Sequence, residues 1–233
     1  MSWLAKFPIR AFSFALAISA LMIFAMGCSN SSSKTTTIRF VNTSPNVASV
    51  NAVVDGVTLG SGIADLGGAT AYLTATSGSR HIQIEDASNS AVDIDETRTI
   101  TSGTTTTYVV AGDGPALTPV VLTDDNSALA SGSFKLRVVN ATPSLGSLDV
   151  YIVPTGTDIT TVSATFSGLS FPSGSTYSSN AAGSFQILFT QPGTKTVIFG
   201  AASTAFSAGQ VRTLLGVQDQ FGTYSAVVLS DVN

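Results

Sequence analysis

The sequence predicts an all-β chain, built as two tandem Ig-like β-sandwich domains behind an export signal and a short polar tether. Three observations predict it. An opening motif recurs 98 positions further along the chain. Short runs alternate apolar and polar residues with a period of two, separated by Gly, Pro, Asn and Asp. No stretch after residue 28 carries an apolar stripe at helical spacing.

The chain opens with an address. Segment 1–27 holds Lys6 and Arg10, no acid, and an apolar run, AFSFALAISALMIFAMG, over 11–27. A basic start, an apolar stretch and small residues before a cleavage point define a secretory signal. The run of 17 residues lies at the lower limit for crossing a bilayer, with Ser13 and Ser19 inside it, so a retained anchor is the lesser reading. The only cysteine, Cys28, follows Ala25-Met26-Gly27 and opens a polar, Ser/Thr-rich tether, CSNSSSKTT, over 28–36. This arrangement resembles the lipobox of bacterial lipoproteins, with Ala25 and Met26 where that pattern prefers Leu and a small residue. The resemblance implies lipidation of Cys28 and anchoring in a membrane. With Ser29 rather than Asp after the cysteine, it implies the outer membrane of a Gram-negative envelope. Cleavage by an ordinary signal peptidase, with simple secretion, is the competing reading.

Beyond the tether the chain repeats itself, with copies over 37–126 and 130–233. Ile38-Arg39-Phe40-Val41-Asn42-Thr43-Ser44-Pro45 is answered by Leu136-Arg137-Val138-Val139-Asn140-Ala141-Thr142-Pro143. Ser49-Val50-Asn51-Ala52-Val53 is answered by Ser147-Leu148-Asp149-Val150-Tyr151. The closing text Val120-Val121-Leu122-Thr123-Asp124 returns as Val227-Val228-Leu229-Ser230-Asp231, now offset by 107, so the growth falls in internal loops. In the first copy, strands are expected around Phe40 and over 50–53 before the Asp55-Gly56 turn, then over 69–75, 79–85 and 105–110. In the second they are expected over 134–139, 148–153, 185–189, 194–199, 211–217 and 225–229. Units of about 100 residues with regularly spaced short strands suggest seven or so strands per sandwich. No Cys-Trp-Cys signature is present, so the likeness to immunoglobulins is architectural. Each copy is long enough to be expected to fold by itself.

The strand text RFVNTSPNVASVNAVVDG, Tyr72 within AYLTATSGSRHIQI, and TTTTYVVAGDG resembles the bacterial family known as domain of unknown function 4397; RVVNATPSLGSLDVYI carries the same opening in the second copy. The resemblance implies a secreted or surface-tethered protein and no particular reaction.

Composition excludes several functions. Charged residues are only 10% of the chain, with 10 Lys+Arg against 14 Asp+Glu. Nucleic acid is therefore no partner, since no basic patch exists to displace counterions from phosphates. Loss of Lys6 and Arg10 with the signal leaves a surplus of six acids. One cysteine and one histidine exclude a disulfide framework and a zinc site of Cys/His type. No cofactor is expected.

Catalysis on a Ser-His-Asp plan would depend on His81, which opens the strand text HIQIED without any G-x-S-x-G elbow; it reads as an exposed strand residue. Asp93, Asp95 and Glu96, Asp124-Asp125-Asn126 and Asp231-Val232-Asn233 offer oxygens to a calcium ion. They lack the spacing of a calcium loop and read as solvated turn acids guarding strand edges. GSGIADLGG over 60–68 reads as a loop. Tyr72, Tyr108, Tyr151, Tyr177 and Tyr224 read as core residues with wet hydroxyls. No catalytic residue is assigned. The expectation is a lipid-anchored cell-envelope protein, non-enzymatic, serving as a binding, adhesion or spacer module. Its partners would be the membrane through Cys28 and a protein or glycan at the cell surface. An acid-based extracytoplasmic hydrolase is the alternative.

Overall fold

The computed structural model describes residues 34–231. The expected signal over 1–27, the lipidation site Cys28, and Val232 and Asn233 lie outside the described residues.

Two β-sandwiches follow one another. The first is built from β1 (Thr35–Asn42), β2 (Ser49–Val54), β3 (Val57–Ala64), β4 (Leu73–Thr76), β5 (Gly78–Asp86), β6 (Val92–Ile100), β7 (Thr105–Ala111) and β8 (Thr118–Thr123). The second comprises β9 (Ser133–Ala141), β10 (Leu148–Pro154), β11 (Phe166–Leu169), β12 (Ser173–Gly174), β13 (Ser178–Ala181), β14 (Gly183–Thr190), β15 (Val197–Phe206), β16 (Val211–Gln218) and β17 (Tyr224–Ser230), with one 3-10 turn at Ile159–Thr161. Sheets β4-β1-β7-β8 and β3-β2-β5-β6 form the first sandwich. Sheets β12-β9-β16-β17, with β13 also on β9, and β11-β10-β14-β15 form the second. β1 pairs with β7, and β9 with β16, in parallel; the other strand pairs are antiparallel.

Strand text with a period of two explains the layers. In β1, Ile38 and Phe40 point into the first core, where they meet Val50, Ile82, Ile84 and Tyr108. Val41 points the other way, against Val139, Leu215 and Val217 of the second sandwich. β9 divides likewise, with Leu136 and Val138 entering the second core beside Phe134, Phe189 and Leu214 while Val139 faces the first sandwich. A strand buried on both faces has no solvent side, so its text runs almost continuously apolar. The four sheets therefore stack, and β4-β1-β7-β8 meets β12-β9-β16-β17 across a third apolar cluster.

The Asn-x-Ser/Thr-Pro text after β1 and β9 has a local cause. Asn42 is buried; its Nδ2 donates to the carbonyls of Val47 and Ile63, and its Oδ1 accepts from the Ser44 amide. Asn140 does the same with Gly146, Leu169 and Thr142. Each amide satisfies turn backbone that burial would otherwise leave unpaired.

Several expectations change. The 60–68 stretch, expected as a loop, is strand β3 through Ala64, where Asn51 Oδ1 accepts from the Gly62 amide beside two register shifts. The strand expected over 69–75 begins only at Leu73, with Ala69 making a single bridge to Val41. The strand expected over 194–199 starts at Val197 and runs to Phe206, because Thr194 closes a turn onto Gln191.

Candidate functional site: a reciprocal clasp between the sandwiches

The most developed cluster of polar side chains lies in the interface between the sandwiches. Parallel pairing sets Arg39 on β1 beside Thr107 on β7, and Arg137 on β9 beside Thr213 on β16. Tyr72 immediately precedes β4 and Tyr177 immediately precedes β13, the strands antiparallel to β1 and β9. Asp124 and Asp231 follow the last residues of β8 and β17.

Arg39 crosses to the second sandwich. Its Nη2 donates to Asp231 Oδ1 at 2.6 Å and its Nη1 to the Ser230 carbonyl at 2.7 Å. Arg137 crosses the other way, from Nη2 to Asp124 Oδ1 at 2.5 Å and from Nη1 to the Thr123 carbonyl at 3.1 Å. Each carboxylate also takes hydroxyls from its own sandwich. Thr107 and Tyr72 donate to Asp124; Thr213 and Tyr177 donate to Asp231. The guanidinium of Arg39 stands 4.6 Å from the Tyr72 ring centre, and that of Arg137 stands 4.8 Å from Tyr177. Burial, with the adjacent carboxylate accepting the hydroxyl, pushes Tyr72 well above the ordinary tyrosine range. Burial does the same to Tyr177, opposed by Arg137.

Chemically this is a lock. Both carboxylates are filled by arginine, threonine and tyrosine, so neither is free to act as a base or to hold an ion. The reading of Asp124 and Asp231 as solvated turn acids, or as calcium ligands, gives way: both are buried and spent on arginine. One donor, Nε of Arg39, is buried without a partner, whereas Nε of Arg137 donates to Thr213.

The other singled-out residues lie apart from the clasp. His81 sits half-exposed on β5, its Nε2 2.6 Å from Asp95 Oδ1. Glu96 accepts from Arg98 and from the Tyr108 hydroxyl in the first sandwich. Asp93 keeps one oxygen buried without a partner, and burial, with Asp86 nearby, raises its carboxyl. Asp125 accepts from Lys135 and Ser127, and Lys135 above all lowers its pKa to about 2. Tyr108 lies in the first core; Tyr151 underlies Lys195, and Tyr224 stacks on Phe199. A cleft of about 410 Å³ opens beside the clasp, lined by Leu122, Thr123, Asp125, Arg137, Thr176 and Tyr177.

Sequence reading missed Tyr72, Tyr177, Thr107 and Thr213 as members of the cluster. The signal was present: a charged arginine in the middle of a doubly buried strand, at two recurring positions, requires a buried anion.

Residues 36–151 match the family model described as domain of unknown function DUF4397, which supports that domain family for this stretch. No curated protein matches the chain. Among solved structures, the chain is similar to one described as alpha-glucan recognition by family 41 carbohydrate-binding modules from streptococcal virulence factors. That match has 12% identity and a TM-score of 0.26, over 78% of this chain and 94% of the other. A second is a family 26 module of Eubacterium rectale Amy13K in complex with maltoheptaose, with 11% identity and a TM-score of 0.25, over 85% of this chain and 98% of the other.

Proposed function

We propose that the protein is a non-enzymatic binding or spacer module of the cell envelope, tethered through lipidated Cys28 and built from two copies of one domain, over 37–126 and 130–233. The observation that carries the reading is the clasp. Buried arginine–aspartate pairs exchanged in both directions, over a shared apolar layer, join two sandwiches into a body suited to holding a surface away from its anchor. The segment before it supports the anchor: an apolar run, one cysteine, then small polar residues. One acyl chain binds a membrane only marginally, so the several chains of a processed lipobox cysteine would be needed for stable attachment. The outer membrane is the proposed site, and a protein or glycan at the cell surface the proposed partner.

Mass spectrometry of the amino-terminal peptide tests the anchor. Acylated Cys28 is expected, and Cys28→Ser should leave an unprocessed precursor. A mature terminus without lipid would mean a secreted protein and would remove the tether from this reading. Hydrolysis by the purified protein of a panel of glycan and ester substrates, abolished by Asp95→Asn without loss of fold, would move it to the hydrolase class.

A further inference from the structure

We infer that the end of the body opposite Lys34 is a docking surface for a protein partner whose face carries an apolar socket ringed by lysines or arginines, with Phe221 as the residue that enters the socket. The inference rests on the binding-module reading, though not on the lipid anchor.

Strand direction defines this end. The clasp ties the middle of β1 to the end of β17 and the middle of β9 to the end of β8, while Val41, Ala111, Ala141 and Val217 meet further along. The sandwiches thus run side by side in the same sense. Loops 43–48, 65–68, 87–91 and 112–117 of the first, and 142–147 and 219–223 of the second, emerge together, a strand's length from Lys34.

Charge is segregated along that axis. Of the eight lysines and arginines within 34–231, only Lys195 lies toward the loop end; Lys34, Arg80, Arg98, Lys135 and Arg212 lie toward the other, and Arg39 and Arg137 are used in the clasp. The loop end holds Asp65, Glu85, Asp86, Asp93, Asp113 and Asp219. An end so charged attracts a basic face and repels an anionic membrane.

Phe221 stands on this acidic end at 84% exposure, in the hairpin between β16 and β17. The connection does not compel that exposure. In the corresponding hairpin between β7 and β8, Leu117 folds back into the first core at 8%. The Phe221 turn is also held firm: Asp219 Oδ1 accepts from the amides of Phe221 at 2.9 Å and Thr223 at 2.7 Å, and the Gly222 amide donates to the Asp219 carbonyl. An aromatic fixed in advance loses little freedom on binding, as an interface anchor requires.

The test uses the full chain in detergent, isotope-labelled, with three probes: an amphipathic Lys/Leu peptide, its Glu/Leu counterpart, and phosphatidylglycerol vesicles. The Lys/Leu peptide should shift the amides of 112–117 and 219–223. Phe221→Ser, at a largely exposed position where melting should not change, should weaken it by about thirtyfold or more, as loss of a hot-spot aromatic does. Asp65→Asn with Asp113→Asn should weaken it further, and Asp158→Asn at the other end should not. Binding insensitive to Phe221→Ser or mapped elsewhere would overturn the docking site while leaving a binding module. Equal binding of the Glu/Leu peptide, no binding of either peptide, or Phe221-dependent binding to the vesicles would each overturn the basic socket.

Discussion

Arg39 and Asp231, 192 residues apart in the chain, meet at 2.6 Å with side chains only 4% and 0% exposed. A charge so completely removed from water is tolerated only while its partner stays in place. Removing one member leaves the other buried and uncompensated, at a cost of about 3–5 kcal/mol. Arg39→Ala and Asp231→Ala should each lose that much in urea unfolding. The double variant Arg39→Leu/Asp231→Leu, which buries no charge, should recover a large part of it. If each single change costs under about 1 kcal/mol, the pair behaves as a surface ion pair and the clasp is not a lock.

The sandwiches should also depend on one another, contrary to the independence suggested by their lengths. Val41, Val109, Val139 and Leu215 are fully buried only because the two faces cover each other. Cutting the chain between residues 126 and 130 exposes that apolar layer together with a widowed arginine and aspartate on each side. The intact body should melt in one calorimetric transition. Fragments 34–126 and 130–231 should melt lower and self-associate in sedimentation, since each presents both an arginine and an aspartate. Monomeric fragments with the melting temperature of the whole would show that the interface adds nothing.

Much of the fold was legible in the sequence. Period-two text located β1, β5, β7, β9, β10, β14 and β16, because each buries at least one face fully enough to force alternation or a continuous apolar run, and β17, where half-buried and exposed residues alternate. β3 was not legible: Gly60 and Gly62 look like loop text, and the strand persists because Asn51 and two register shifts accommodate them. β11, β12 and β13 are short and largely polar. The recurrence of Asp124 as Asp231 was visible, but not their burial. Ordinary strand text does not reveal which face of β8 or β17 another sandwich will cover, and the partner arginine lies on the other copy.

Gly68 tests local packing. A Cβ built on it would lie 2.3 Å from the Ala64 carbonyl oxygen and 2.9 Å from its carbon, both backbone atoms that cannot turn aside. The Gly68 carbonyl also accepts from the Asn42 amide at 2.9 Å, which ties this turn to the buried asparagine at the end of β1. Gly68→Ala should therefore cost about 1–3 kcal/mol, as overpacking does. Gly183→Ala, where the nearest side-chain atom is 3.7 Å away, should stay within about 0.5 kcal/mol of the parent. Equal stability of the two variants in urea would mean that the 65–68 turn relaxes freely.

Three tyrosines should make the protein sensitive to alkali. Burial chiefly raises Tyr108 and Tyr72, and a carboxylate accepting the hydroxyl adds to it: Glu96 for Tyr108, Asp124 for Tyr72. Burial raises Tyr177 too, whose hydroxyl donates to Asp231. The neutral hydroxyl is the form the fold holds. Because the folded value lies above the unfolded one near 10, the stability is fully present below about pH 10 and is lost as pH rises beyond it. The melting temperature should thus fall as pH rises above about 10, with the tyrosinate absorbance of these three residues rising together with unfolding rather than before it. Tyr108→Phe keeps the ring against Phe40 but has no proton to lose, so its melting temperature should fall less over the same interval than the parent's, although it is less stable at neutral pH through the lost bond to Glu96. Tyrosinate absorbance appearing in the folded protein near pH 10 from Tyr72, Tyr108 or Tyr177, assigned by single Phe variants, would show that their hydroxyls reach water and would remove the basis for this sensitivity.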